Sequence, residues 1–287
     1  MLANAFAGKV GLDKQGELIG LLHDLGKFSA AFQAYIKSAV GLLNQDEDEE
    51  FVDAAGLKGK VDHSTAGAQL VWEELSKQGN MGRIVGQILG LCIASHHSGL
   101  IDCLSSDTNR PVEDMFTKRI SKRDDRTHLQ EATSKMDALI DKRFRELVGS
   151  PGLVDGLKES IRQVMLRDDI KGLDPSKNPI TQFKLGLLVR FLFSCLIDAD
   201  RVDTADFEKP KAAKHRLNGQ YTEWPLLIER LEKHLQGFTL RNPVDEIRRS
   251  ISDHCLDGAI RDKGIYTASP GQLAGRGLKP PCSVRPR

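Results

Sequence analysis

The sequence has few of the features that mark exported, disulfide-bonded or strongly charged proteins. Its five cysteines are scattered, with no CxxC pair, which argues against a disulfide framework or a cysteine zinc site. Forty-one Lys and Arg balance forty Asp and Glu, so the formal charge of +1 gives no global basic field for a polyanion. No leader-like segment opens the chain, and no apolar run approaches the about 20 residues of a membrane span. We therefore expect a cytoplasmic protein with no membrane partner.

Aromatic residues make up only 6 % of the chain, which argues against the extensive base stacking of dedicated single-strand binders. Alternating β-type runs are nearly absent, whereas apolar residues recur at three- and four-residue spacing. This pattern predicts an all-α fold. The predicted helices cover about 14–25, 28–44, 63–78, 81–95, 125–147, 153–167, 179–201, 222–236 and 243–262. The charged stretches 46–50 and 118–126 are predicted to be loops.

The same pattern predicts three regions along the chain. One compact domain is expected over residues 1–238, followed by a helical connector over 239–267. The last stretch, 268–287, contains four prolines and is expected to be an irregular, disordered tail.

The first candidate site is the pair His23-Asp24, which follows an apolar helix and precedes Gly26. Burying an imidazole and a carboxylate beside Leu22 and Leu25 costs free energy unless each group has a partner, and a metal ion is one such partner. A hydrogen-bonded core histidine with a nearby capping aspartate is the simpler interpretation of this dipeptide taken alone.

Three further segments place imidazoles and carboxylates at helix ends. His63 lies near the start of a predicted helix, and His96-His97 ends another, where two protonated imidazoles would repel each other. Neutral, metal-bound imidazoles relieve that repulsion, and a surface pair at a helix C-terminus is the alternative. Asp198 and Asp200 end an apolar helix and point to different faces, so one can face a site while the other points outward.

Carboxylate oxygens and imidazole nitrogens together suit a divalent transition metal. We expect two ions of manganese, nickel, cobalt or iron, with magnesium or zinc as alternatives. Phosphodiester hydrolysis benefits from such a pair, because the ions activate water and stabilise the charge that develops on the phosphate oxygens. No protein nucleophile is then required.

Four sequence blocks resemble the HD phosphohydrolases, and within them the HD nuclease domain of the CRISPR-associated nuclease-helicase of type I systems. The blocks are LLHDLGKFSAAFQAYI at 21–36, DHSTAGAQL at 62–70, IASHHSGLID at 93–102 and SCLIDADRVDTADF at 194–207. They occur in family order and span most of the chain. The resemblance implies an HD-domain helical bundle with a metal site in its core, and metal-dependent hydrolysis of single-stranded DNA in type I CRISPR antiviral defence.

The resemblance also implies roles for individual residues. The implied metal ligands are His23, Asp24, His63, His96, His97 and one aspartate of the DADR block, for which Asp200 fits the family pattern better than Asp198. Asp24 is expected to bridge two ions. Lys27 is expected to contact the scissile phosphate as a second catalytic residue, and an exposed helix-end cation is the alternative for it.

Two departures from the family pattern bear on function. Relatives carry a histidine on a helix upstream of the HD block, whereas residues 2–6 here resemble only the end of that helix. Water in place of that ligand, weaker metal binding, or a chain that starts late would each account for the difference. Residues 247–265 resemble the connector before the helicase, but no GxGKT loop follows. We therefore expect the helicase, like the type I CRISPR surveillance complex, to be supplied elsewhere.

DNA binding is expected to depend on local cations, because the net charge is near zero. The candidates are Lys118, Arg119, Lys122 and Arg123, although a charge run of this kind is commonly a solvated face. Two alternative functions stay open at this point. One is an HD phosphohydrolase that acts on nucleotides or cyclic nucleotides, and the other is a weakened HD scaffold that binds partners without turnover.

Overall fold

The computed structural model describes residues 2–45, 48–57, 61–103, 113–165, 178–216 and 222–259. Within these ranges the chain forms helices and no β-strand, which confirms the predicted all-α fold. The α-helices are α1 (Leu2–Gly8), α2 (Asp13–Leu22), α3 (Ala30–Ala39), α4 (Ala54–Leu57), α5 (Thr65–Ser76), α6 (Gly79–Ser95), α7 (Met115–Ile120), α8 (Asp124–Thr127), α9 (Leu129–Ser134), α10 (Ala138–Val148), α11 (Pro151–Met165), α12 (Pro179–Glu208), α13 (Pro210–Ala213), α14 (Trp224–Gln236) and α15 (Pro243–Ala259). A 3-10 helix, Leu25–Phe28, separates α2 from α3.

Most of the predicted helices are present with shifted ends, and one is wrong. Residues 125–147 were predicted to form a single helix but form α8, α9 and α10. His128 interrupts the stretch with a left-handed φ of 53°. Asp137 then caps α10, because its side chain accepts a hydrogen bond from the Leu139 N–H at 2.8 Å. A capping carboxylate competes with the helix for such backbone donors, so the pattern of apolar residues alone does not reveal the break.

The charged stretch 118–126 is not the predicted loop, since it contains the end of α7 and part of α8. The Asp114 side chain caps α7 by accepting from the Thr117 N–H at 3.0 Å. Phe116 is buried, and its ring lies 5.5 Å from the Trp72 ring. The cap and the buried aromatic ring stabilise α7 despite the high charge of this stretch. In the acidic stretch, residues 48–50 are non-helical as predicted, whereas 46 and 47 lie outside the described residues.

The core lies between α2, α5, α6 and α12. Buried apolar side chains from all four helices form it: Leu18, Leu22, Val71, Leu75, Leu89, Ile93, Leu192 and Leu196. Burial of each such side chain contributes roughly 1.5–3 kcal/mol relative to exposure. Every predicted metal ligand lies within one of these helices or next to one of its ends, so the core fixes the ligands relative to one another.

Two glycines allow α5 to approach the end of α2. A Cβ atom at Gly67 would overlap the Leu22 carbonyl oxygen. A Cβ atom at Gly26 would lie 2.5 Å from the His63 Cα, and the Gly26 N–H donates to the His63 carbonyl oxygen at 3.1 Å. The missing side chains therefore bring His63 beside the His23-Asp24 turn.

The chain divides into two compact units, Met1–His215 and Arg216–Arg287. All the predicted metal ligands lie in the first unit, and α14 and α15 belong to the second. The division after His215 falls before residue 238, where the nuclease domain was predicted to end. The end at residue 238 stays a prediction. The predicted connector 239–267 is described only as far as residue 259, and the predicted tail 268–287 lies outside the described residues.

One helix corrects the expectation drawn from apolar run length. Over an 18-residue window, α12 has a mean hydropathy of 1.6, so by length and composition it could cross a membrane. The sequence was expected to contain no apolar run of membrane-spanning length, because Lys184 and Arg190 interrupt this one. That expectation was wrong, since an average over the window tolerates two charges. A single such helix is weak evidence, since core helices of soluble proteins meet the same criterion. On its inner side, α12 buries Leu192 and Leu196 in the core.

Candidate metal centre

The HD pair lies at the junction between α2 and the 3-10 helix. His23 caps the C-terminus of α2, and Asp24 then leaves the helical conformation with φ −105° and ψ 15°. The side chains are 17 % and 28 % exposed, so both are mostly buried. His63 precedes α5, His96 caps the end of α6, and Asp200 lies on α12. The predicted ligands thus come from four separate stretches of the chain.

The structure gathers these ligands into two clusters that share Asp24. The first cluster is Asp24, His63, His96 and His97, and the second is His23, Asp24 and Asp200; within each, the ligand atoms lie within 4.8 Å of one another. Asp24 Oδ1 lies 3.7 Å from His63 Nε2 and 3.5 Å from His96 Nε2. Asp24 Oδ2 lies 3.1 Å from His23 Nε2, which is 3.6 Å from Asp200 Oδ1. Each oxygen of Asp24 therefore faces a different cluster.

Backbone carbonyl groups orient three of the four histidines. The Nδ1 atoms of His23, His63 and His96 lie 3.0, 3.3 and 2.8 Å from the carbonyl oxygens of Gly20, Val61 and Ile93. A carbonyl oxygen only accepts, so Nδ1 carries the proton, and a neutral ring then presents the Nε2 lone pair to the cluster. Metal-ligating histidines are held in this way, with the other ring nitrogen donating to a backbone carbonyl or carboxylate.

Two buried polar atoms at the clusters have no hydrogen-bond partner among the described residues, and two further ring nitrogens have only each other. Asp24 Oδ1 and His96 Nε2 are buried and make no hydrogen bond. His63 Nε2 and His97 Nε2 lie 2.6 Å apart, a distance that requires a proton or a cation to link the two nitrogens. Leaving such groups unsatisfied in the interior costs free energy. A divalent cation would satisfy all four atoms, so the residues present fit a metal ion.

Charges around Asp24 keep the carboxylates ionised. Burial opposes the charge on Asp24, but the His23 and His96 rings and the Lys27 ammonium hold its pKa far below the usual range. Burial also opposes a charge on His23, yet Asp200 and Asp24 raise its pKa to about 9. Burial and the neighbouring His96 lower the pKa of His97 to about 4. In the metal-free protein at neutral pH, His23 is therefore positively charged, whereas His97 is neutral.

The comparison with known families decides the assignment. A family model described as Cas3, HD domain, matches residues 10–160, which is more than half of the chain. The chain belongs to this family. Five of the clustered residues lie inside the matched span, whereas Asp200 lies beyond it. No curated protein and no solved structure matches the chain.

Membership of the Cas3 HD family makes this a CRISPR-associated nuclease domain of the HD type. HD domains bind divalent metals, and the His and Asp clusters provide a place for them. The family also links the chain to DNA and to type I CRISPR systems.

The structure brings Asp200, and not Asp198, to this Cas3 HD site. Asp198 is exposed and belongs to neither cluster. Lys27 pairs with Asp24 Oδ2 at 2.6 Å, and its side chain is 41 % exposed. Its ammonium group thus lies at the edge of the clusters, where solvent can reach it.

The cations proposed to bind DNA are all paired with carboxylates. The pairs are Lys118–Glu113, Arg119–Asp62, Lys122–Asp62 and Arg123–Asp125. Arg119 and Lys122 are less exposed than the other two and hold the turn before His63. Lys118 and Arg123 are on the surface, so of the four cations these two are the better placed to contact DNA.

Sequence reasoning assigned no role to Asp62. Its Oδ1 accepts from the Thr65 N–H at 3.0 Å, at the first residue of α5, and its Oδ2 contacts Lys122 Nζ at 2.5 Å. The signal in the sequence was an aspartate directly before His63 and three residues before Thr65, at the start of a predicted helix. Burial opposes the charge on Asp62, but Lys122, Thr65 and Arg119 lower its pKa to about 2.

We expect Asp62→Asn to lower the free energy of unfolding of the metal-free protein by about 2 kcal/mol at pH 7, since one pKa unit corresponds to about 1.4 kcal/mol. Because the folded-state pKa of Asp62 is depressed, its stabilisation is fully present above the unfolded value near 3.9 and is lost as the pH falls towards 2. Urea unfolding with a chelator present, from pH 7 down to pH 3, measures the difference between variant and wild type. A difference that stays constant with pH would contradict this account of Asp62.

Proposed function

We propose that the chain is a two-metal nuclease that hydrolyses single-stranded DNA during target degradation in type I CRISPR antiviral defence. The observation that supports it best is that the two oxygens of Asp24 face two separate clusters of ligand atoms. The proposed ligands are Asp24, His63, His96 and His97 for one ion, and His23, Asp24 and Asp200 for the other. When bound, manganese, nickel, cobalt or iron ions would activate water and neutralise the charge on the phosphate oxygens.

The protein's own residues prepare the site for this substrate. Asp24 keeps its charge at every physiological pH, because the surrounding cations hold its pKa low. His97 is neutral and exposed, so its lone pair is available without loss of a proton. Lys27 offers an ammonium group at the edge of the clusters, where it would contact the scissile phosphate and stabilise its developing charge.

The proposed contacts to the strand are to its backbone. Lys118 and Arg123 have side chains that are 64 % and 85 % exposed, and each already pairs with a surface carboxylate that is itself solvated. Phosphate contacts hold a strand without reading its bases, so cutting is expected to be independent of sequence. A helicase and the type I CRISPR surveillance complex are proposed to deliver the strand to this site in the cytoplasm.

The test is cleavage of circular single-stranded DNA after reconstitution with manganese, nickel or cobalt. Circles have no ends, so their linearisation reports endonuclease action directly. We expect cutting that requires the metal and that EDTA abolishes. His97→Ala is expected to weaken cutting strongly, whereas His234→Ala, an exposed histidine of α14 in the second unit, provides a matched control with wild-type cutting.

Parallel assays with deoxynucleoside triphosphates and cyclic nucleotides separate the alternatives. Faster turnover of either class than of circles would replace the proposal with a nucleotide phosphohydrolase. A protein that binds metal but hydrolyses none of the three substrates would instead be an HD scaffold without turnover.

A further inference from the structure

Arg119 joins the two segments that carry the histidines of the first cluster. Its Nε donates to Thr65 Oγ1 at 2.8 Å, and its Nη2 donates to Ser64 Oγ at 2.8 Å and to the Ala94 carbonyl oxygen at 3.3 Å. The same Nη2 lies 3.8 Å from Asp62 Oδ1. The guanidinium therefore contacts residues on both sides of His63 and also the end of α6, just before His96.

The helix that carries Arg119 is itself attached to the core. Phe116 is 1 % exposed and packs against Trp72 of α5. Gln69, also on α5, donates from Nε2 to the carbonyl oxygens of Ile120 and Lys122 at 2.7 and 2.8 Å. These contacts fix α7 at both ends, so Arg119 is held by a packed element and not by a free loop.

The groups that accept hydrogen bonds from Arg119 lie at helix ends or in the interior, where a donor stabilises them. The Ala94 carbonyl is among the last carbonyls of α6, which have no donor within the helix, and a cation is favoured at this end of a helix dipole. Ser64 and Thr65 are buried and lie at the start of α5. A planar guanidinium reaches several such acceptors at once, which a single ammonium group cannot do.

We propose that Arg119 is a positioning residue for the metal centre, whose guanidinium sets the spacing between His63 and the His96-His97 pair. This inference rests on the proposed metal site. Within the described part of the chain, Arg119 makes no hydrogen bond or ion pair with a ligand side chain, and it acts through the backbone and hydroxyl groups next to them. Replacement of a residue that orients metal ligands typically lowers the metal affinity by about 10- to 100-fold.

The experiment measures binding of Mn²⁺ and Co²⁺ by titration calorimetry, together with the visible absorption spectrum of the Co²⁺ form. Arg119→Met is expected to bind about 10- to 100-fold more weakly than wild type and to show an altered Co²⁺ spectrum. Arg145→Met is the matched control, because Arg145 is an exposed arginine of α10 that pairs only with Asp141 in the described structure. It is expected to leave the affinity and the spectrum unchanged.

Circular dichroism of the metal-free variants separates positioning from folding. Should Arg119→Met fail to fold, Arg119→Lys decides, since it retains the charge and the stem but loses the planar fork. A folded Arg119→Lys protein with reduced affinity supports the proposal. A folded variant at position 119 with wild-type affinity and spectrum overturns it. Absence of metal binding in the wild type would instead overturn the proposed metal site itself, and the inference with it.

Discussion

Asp24→Asn is expected to reduce metal-dependent cleavage of circular single-stranded DNA by about a thousandfold or more, because several kcal/mol of metal stabilisation are lost at about 1.4 kcal/mol per tenfold in rate. The substitution preserves the size of the side chain but removes the charge that both clusters share. Asp24 Oδ1 is buried without a hydrogen-bond partner, and Asp24 Oδ2 faces His23 and Lys27. Metal binding, measured by calorimetry, is expected to fall at both sites together.

The matched control is Asp198→Asn. Asp198 lies on α12 only two residues from Asp200, but it is exposed and outside both clusters, so wild-type cutting is expected. Asp200→Asn, by contrast, is expected to impair binding at the second cluster while the first stays intact. Full activity in Asp24→Asn would show that cleavage does not require the carboxylate shared by the two clusters. Loss of activity in Asp198→Asn would reverse the assignment between the two aspartates.

The residues that gather around Asp24 could be predicted from the sequence because each places a metal-binding group on an apolar helix or next to one of its ends. The choice between Asp198 and Asp200 also has a local signal. Asp200 lies four residues after Leu196 and eight after Leu192, and both leucines are buried, so all three share one face of α12. Apolar spacing along that helix thus indicates which carboxylate faces inward.

The division of the ligands into two clusters could not be predicted in the same way. It depends on the directions of the two Asp24 oxygens, which follow from the break after α2 and from the close approach of α5. The contacts of Arg119 could not be predicted from the sequence either, because its partner Ser64 is 55 residues away along the chain. A run of charges predicted a solvated loop, whereas tertiary contacts made part of it an anchor for the site.

Gly67→Ala is expected to lower the free energy of unfolding by about 3 kcal/mol, near the upper end of the usual cost of overpacking a core. The new Cβ atom would overlap the Leu22 carbonyl oxygen, and it would also lie 3.3 Å from Ile93 Cγ2. The carbonyl belongs to the backbone of α2 and cannot rotate away as a flexible side chain would. For a domain of this size, the change corresponds to a decrease in melting temperature of roughly 6–12 °C.

Gly186→Ala provides the control for the effect of glycine itself. Gly186 also lies inside a helix, but nothing lies within 4 Å of the position that its Cβ would occupy. This substitution is expected to raise stability by about 0.5–1 kcal/mol, because alanine restricts the unfolded chain more than glycine does. Opposite signs in the two variants would show that the cost at Gly67 comes from the contact between α5 and α2. Since Leu22 directly precedes His23, the folded fraction of Gly67→Ala is also expected to bind metal more weakly. A Gly67→Ala protein that melts with the wild type would mean that the two helices are farther apart, and that another contact holds His63 beside Asp24.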